Sequence, residues 1–183
     1  SRAICISPFV HDDAIYTLRE NVTDELLIFG CREELRRLDP ETLSGVRSFA
    51  ISDLIVDGES QDKGEDGEGE QSEQNLHAKL YVYQGETSST SWFLGSANAT
   101  KAAFERNIEF LLELRGSGAA VQLDRLKDEL LGEDEQGGIF QQYEPSMEPF
   151  DDSETRKLEE AIRLLEFDLL KHFLREAHRH GRA

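Results

Sequence analysis

Two neighbouring segments, LHAKLYVYQ (76–84) and STSWFLGSANAT (89–100), carry the most informative pattern in the chain. The first alternates. Leu76, Ala78, Leu80 and Val82 fall on one face of a strand, and His77, Lys79, Tyr81 and Tyr83 on the other. His77 and Lys79 are then neighbours on that face, about 7 Å apart at the base. The second segment reads as a strand ending in Gly95-Ser96-Ala97-Asn98-Ala99-Thr100. Glycine there permits a close backbone turn, and Ser96 and Asn98 add neutral hydrogen-bonding groups beside the strand end. The spacing allows a hairpin between the two strands within a mixed sheet.

Outward from this pair, strands alternate with helices. AICIS (3–7) is an apolar run stopped by Pro8, and a helix is expected over His11–Glu20, with Asp12 and Asp13 suited to its first turn. ELLIFG (25–30) is a second strand, Glu33–Leu38 a helix, and Pro40 the start of a further helical turn. VRSFAISDLIV (46–56) is a third strand. Beyond the central pair come a short helix over Thr100–Arg106, the strand NIEFLLEL (107–114), and a helix over Ala120–Leu131. This order predicts an α/β domain, a mixed sheet flanked by helices, over residues 1–145. Residues 132–152, rich in Gly, Gln, Glu and Pro, read as a linker that leads from 146 into a second region ending at 183. Its main element is a long amphipathic helix over Glu154–His180. Leu158, Ile162, Leu165, Leu169 and Phe173 form a stripe there, which Leu164, Phe167, Leu170 and Leu174 widen, so that helix needs cover on more than one side.

The chain has 183 residues with 38 acidic and 20 basic side chains, a net charge of −18. The charge is concentrated. Residues 57–74 carry a net −7 and residues 129–160 a net −9, which leaves −2 for all the rest. Residues 57–74 lack aromatic and β-branched side chains, and read as a flexible, solvated surface loop; a lid, or an acidic mimic of nucleic acid, is the functional alternative. No apolar run reaches the roughly 20 residues of a membrane span, and no signal peptide precedes AICIS. Cys5 and Cys31 lie in strand-like stretches and read as reduced, buried thiols of a cytoplasmic protein. The single methionine is Met147, so Ser1 reads as the start of a processed or excised chain.

His77, Lys79, Ser96, Asn98 and Glu109 bring a nucleophile, a cation, neutral donors and a carboxylate to neighbouring strands, which is what chemistry at a phosphodiester requires. His77-Ala-Lys79, then Gly95-Ser96-Ala97-Asn98-Ala99-Thr100, with Glu109 thirteen residues after Ser96, resembles the HxKxxxxD…GSxN motif of the phospholipase D superfamily. Gln84 stands where that motif has aspartate, and the ten residues between Gln84 and Gly95 exceed its usual spacing.

The resemblance implies a phospholipase D-like fold and a two-step displacement that needs no metal and no cofactor. His77 would attack phosphorus, and a second histidine would protonate the leaving oxygen. Lys79 and Asn98 would hold the non-bridging oxygens, with Ser96 supporting the site. Glu109 would accept a hydrogen bond from the other ring nitrogen of His77. No second HxK is present. His11 is followed by Asp12 and Asp13, and His172, His178 and His180 belong to a basic tail. The site would therefore be completed by a second copy in a homodimer, or by a second phospholipase D-like half upstream, as in two-motif bacterial members. Net acidity disfavours a lipid substrate. Arg2, Lys79, Lys101, Arg106 and Arg115 are candidate cleft cations, and a nucleic-acid substrate, hence a nuclease, is the favoured expectation. The competing class is a non-catalytic module that binds nucleic acid or a partner protein. A plain α/β scaffold with a coincidental motif is the third reading.

Overall fold

A computed structural model describes residues 1–52, 76–85, 89–132, 135, 137–145 and 165. The chain divides into two compact units, Ser1–Met147 and Glu148–Ala183. In the second, the described residue Leu165 is helical; the rest of the helix expected over 154–180 lies outside the described residues, as does the acidic stretch 57–74.

The first unit is built on seven strands: β1 (Arg2–Ile6), β2 (Glu25–Gly30), β3 (Arg47–Ile51), β4 (Leu80–Gln84), β5 (Thr90–Gly95), β6 (Leu111–Gly116) and β7 (Phe140–Gln142). They form one sheet in the order β6-β5-β4-β1-β2-β3-β7. β1, β2 and β3 are parallel, joined through α1 (Asp12–Arg19) and α2 (Arg32–Arg36). β4 runs antiparallel to β1 on its other side, and β5 and β6 continue the antiparallel series. α3 (Lys101–Glu105) follows β5, and α4 (Leu123–Leu131) follows β6. The fold is thus mixed α/β, as the alternation of elements predicts.

The two innermost strands read as continuous apolar runs because both of their faces are covered. Ala3, Cys5, Leu26 and Ile28 point to one face and pack with Ala14 and Ile15 of α1 and Leu35 of α2. Ile4, Ile6, Leu27 and Phe29 point to the other, and pack with Phe49, Val82, and Leu123 and Leu131 of α4. Burial pushes the Cys5 thiol pKa up to about 12, so it behaves as a small apolar side chain. Neither cysteine forms a disulfide.

β7 departs from the expected linker over 132–152. Gly132, at φ +79°, ends α4, and the chain returns to pair antiparallel with β3. Phe140 meets Phe29 edge-on, with ring centroids 5.0 Å apart, while Phe29 stacks on Phe49 at 4.8 Å. Tyr143 then donates its backbone N–H to Ser48 O at 2.8 Å. Two aromatic anchors in an otherwise polar stretch hold a strand too short to show a period of two. Replacing one anchor measures their worth. Phe140→Ala is expected to lower the unfolding free energy by roughly 3–5 kcal/mol in urea denaturation. A loss under about 0.5 kcal/mol, usual for a surface change, would place residues 140–142 outside the core.

Candidate active site

Strand pairing brings the motif segments to one edge of the sheet. Ile6 at the end of β1 pairs with Leu80 at the start of β4, Leu80 pairs with Leu94, and Gly95 pairs with Leu111. The segment before β4, the loop after β5 and the segment before β6 therefore all emerge beside the carboxyl end of β1. In open α/β sheets, ligands bind outside the carboxyl ends of the parallel strands.

Gly95 makes the close approach possible. A Cβ at this position would lie 1.8 Å from Phe110 O, so any side chain would force β5 and the lead-in to β6 apart. With glycine there, Ser96 N donates to Phe110 O at 3.0 Å, and Phe110 N donates to Ser96 Oγ at 3.0 Å. The Ser96 hydroxyl in turn donates to Glu109 Oε2, and Asn107 Nδ2 donates to Glu109 Oε1 at 3.2 Å. The Ser96 bond, then the Asn107 bond, hold the Glu109 carboxyl below its ordinary pKa; partial burial opposes them, and the charge of Lys79 assists. Glu109 is therefore a carboxylate at neutral pH.

Lys79 Nζ donates to the backbone O of His77 at 3.1 Å. The His77 ring is exposed and makes no hydrogen bond among the described residues. The Glu109–His77 hydrogen bond implied by the resemblance is absent among the described residues; Glu109 accepts instead from Ser96 and Asn107. Both expected strands also begin later than their sequence suggests. β4 starts at Leu80, after His77 and Lys79, because β1 ends at Ile6; only Gly95 N donating to Lys79 O at 3.3 Å continues the pairing. β6 starts at Leu111, after Glu109, because β5 ends at Gly95.

Asn98 lies in the loop after β5, where its backbone O accepts from Thr100 N at 2.8 Å. Its side-chain Oδ1 is buried and has no hydrogen-bond partner among the described residues. A buried acceptor left unpaired costs about 1–3 kcal/mol, so this atom can take a donor at little cost. The loop is held by groups that the sequence pattern did not single out. Ser7 Oγ accepts from Ala99 N at 2.9 Å and donates to Phe9 O at 2.7 Å. Tyr81 Oη donates to Ala97 O at 2.9 Å, and His11 N donates to Ala99 O at 2.9 Å. A small polar residue directly after a buried strand is the signal that marks Ser7. Tyr81, on the His77 and Lys79 face by alternation, gave no signal of its own.

Gln84 occupies the opposite end of β4, paired with Arg2 and Thr90. Its Oε1 accepts from Leu123 N at 3.2 Å, which satisfies one of the free N–H groups at the start of α4. Two expected cleft cations belong to that distant end as well. Arg2 pairs with Glu25 at 2.9 Å and Asp124 at 2.6 Å, and Arg115, opposite Ser91 on β5, pairs with Glu113 at 2.7 Å. Of the five, Lys79, Lys101 and Arg106 remain near the site, with Lys101 3.8 Å from Asp13.

A groove of about 560 Å³ lies on one face of the sheet, lined by Leu18, Val22, Tyr81, Phe93, Phe104 and Leu111. It includes none of the five motif residues. Among the described residues, no three His, Cys, Asp or Glu side chains group as metal ligands, and no helix is long and apolar enough to cross a membrane. No protein-family model matches the chain, and neither does any curated protein.

Two measurements probe the Ser96–Glu109 link. NMR titration is expected to place the Glu109 carboxyl below the ordinary value of about 4.3, and Ser96→Ala to move it upward. The sign follows from linkage. A carboxyl whose pKa is depressed by folding contributes stability above its unfolded pKa, and that stability is lost as pH falls through the folded value. An unchanged midpoint in Ser96→Ala would remove the hydroxyl as the cause. Gly95→Ala is expected to cost on the order of 1–3 kcal/mol, the range for overpacking, read from urea denaturation; a cost near zero would contradict the close approach.

Proposed function

We propose that this chain supplies one half of a phosphodiesterase site of the phospholipase D type, acting through a phosphohistidine, with the backbone of nucleic acid as substrate. The observation that carries this reading is the meeting, at the edge beside the end of β1, of the His77–Lys79 segment with the Ser96–Glu109 pair. Five residues of the motif's chemical types, drawn from three segments, share one end of one sheet. Gln84 does not count against it, because that position lies at the other end of β4 and serves α4.

In the proposed reaction a ring nitrogen of His77 attacks phosphorus. The P–N bond forms as the P–O bond to the leaving group breaks, and a second histidine gives its proton to that oxygen. Water, losing a proton to the same histidine, then attacks phosphorus and releases His77. Lys79 and the Asn98 amide stabilise charge on the non-bridging oxygens. Glu109 fixes Ser96 through the hydroxyl hydrogen bond. The second histidine comes from another copy of the chain in a homodimer or from an upstream half with its own motif; a two-fold axis through the cleft would duplicate every group.

One observation favours a second reading, a non-catalytic module that binds nucleic acid or a partner protein. The His77 ring has no acceptor fixing its tautomer among the described residues, whereas histidine nucleophiles are ordinarily oriented by a third group.

Hydrolysis of bis(p-nitrophenyl) phosphate in excess EDTA, with the mass of the active species recorded, separates the two. Turnover is expected to fall on the order of 10³-fold or more in His77→Ala, since removing a nucleophile abolishes its step. Activity from a dimer would place the second histidine in the partner copy. Full activity in His77→Ala would exclude His77 from the mechanism, and a folded dimer without turnover would favour the binding module.

A further inference from the structure

The loop 96–100 carries Ser96 and Asn98 beyond the end of β5. Ser96 is tied to Phe110, and the rest of the loop is held by bonds from β1's end and from β4. Ser7 is fully buried one residue past β1, and its backbone N donates to Phe29 O at 3.0 Å, which ties it to β2. Its hydroxyl is saturated, accepting from Ala99 N at 2.9 Å and donating to Phe9 O at 2.7 Å. Phe9 lies two residues before His11, whose N–H closes on Ala99 O at 2.9 Å, with Val10 bridged to Ala99. Both backbone groups of Ala99 are thus bonded to the segment 7–11. From the other side, the hydroxyl of half-buried Tyr81 on β4 donates to Ala97 O at 2.9 Å. Asn98 stands between these two fixed residues, and its unpartnered Oδ1 shows that its own side chain does not hold it in place.

We propose that Ser7 and Tyr81 are positioning residues that clamp Ala99 and Ala97, and so fix where Asn98 meets the phosphoryl oxygens. This inference rests on the phosphodiesterase reading above. Neither residue touches the substrate; each acts through the loop backbone. The misplacement of a binding group by about 1 Å can cost 10²-fold in rate, which makes rate the sensitive measure of such a clamp.

The test uses the full chain with Ser7→Ala, Tyr81→Phe and, as a control, Ser48→Ala. Ser48 is another buried serine, but its hydroxyl donates to Tyr143 O at 3.3 Å between β3 and β7, far from the loop. Turnover of bis(p-nitrophenyl) phosphate is measured together with the affinity for tungstate, a tetrahedral oxyanion that stands in for the phosphoryl group. Ser7→Ala and Tyr81→Phe are each expected to lower kcat roughly 10- to 100-fold with KM within about twofold, and to weaken tungstate binding about tenfold, while Ser48→Ala leaves all three unchanged. If the wild-type chain binds tungstate without turnover, tungstate affinity is the deciding measurement and the same loss is expected. Should Ser7→Ala fail to fold, Tyr81→Phe, which keeps the ring, carries the test. Wild-type behaviour in both variants, or an equal loss in Ser48→Ala, overturns the clamp and leaves the phosphodiesterase reading standing. A wild-type chain with neither turnover nor tungstate binding overturns that reading and the clamp with it.

Discussion

β1 is five residues long, and that length decides where the sheet stops. It is the only strand that pairs with the parallel half through β2 and with the antiparallel half through β4, so both halves share its end. Past Ile6 the chain turns through Ser7 and Pro8, and β4 has no partner on that side before Leu80. His77 and Lys79 are left outside β4, with Gly95 N donating to Lys79 O as the last step of the pairing with β5. In the register of β1 with β4, pairing back to residue 76 would need β1 to run on by four residues, to position 10. Past the same ending Ser7 keeps a backbone bond to Phe29 O of β2, while its side chain accepts from Ala99 N.

The cations at the two ends of this sheet have different partners. At the amino end of β1, Arg2 and Arg47 both pair with Glu25, Arg47 and Lys127 both pair with Glu135, and Asp124 closes on Arg2. Hydrogen bonding to Asp124 raises the Arg2 pKa further, against the effect of burial. These cations are occupied by carboxylates and are not available to a phosphate. At the carboxyl end, Lys79 bonds to a backbone oxygen, and Lys101 stands at 3.8 Å from Asp13. Individual exposed pairs are worth at most about 1 kcal/mol, so the network at the amino end acts more as local order than as a large stabilising term.

The legible parts of this chain are those where burial imposes a pattern. ELLIFG coincides with β2 and AICIS overlaps β1 within a residue, because strands covered on both faces leave unbroken apolar runs. The motif residues were legible as chemical types at suggestive spacings. Their placement was less so, because strand ends are set by partners distant in sequence: Ile6 for β4, and Gly95 for β6. β7 was illegible for a related reason. Its three residues follow a glycine-rich turn, and only Phe140 and Tyr143 are buried, too few to make a period. Gln84 was visible as a departure from the motif, but its bond to Leu123 depends on a helix thirty-nine residues away.

The charge balance at the carboxyl edge bears on why one chain would not suffice for the proposed chemistry. A phosphodiester brings one negative charge to a site where Glu109 is held ionised by Ser96 and Asn107. The charge of Lys79 stabilises the Glu109 carboxylate, though less than the Ser96 and Asn107 hydrogen bonds do. The Asn98 amide adds only a dipole. As the nucleophile attacks, further negative charge develops on the phosphoryl oxygens and on the leaving oxygen, and stabilising it requires a cation aimed at that position. A protonated histidine, and a second lysine beside it, would supply both the charge and the proton. His11 is brought to the loop by its backbone, but Asp12 and Asp13 follow it where a lysine would be needed. On the proposed reading, the missing positive charge is a stronger reason for a second copy or a second half than the count of histidines, because two-fold pairing adds a cation on the far side of the phosphate.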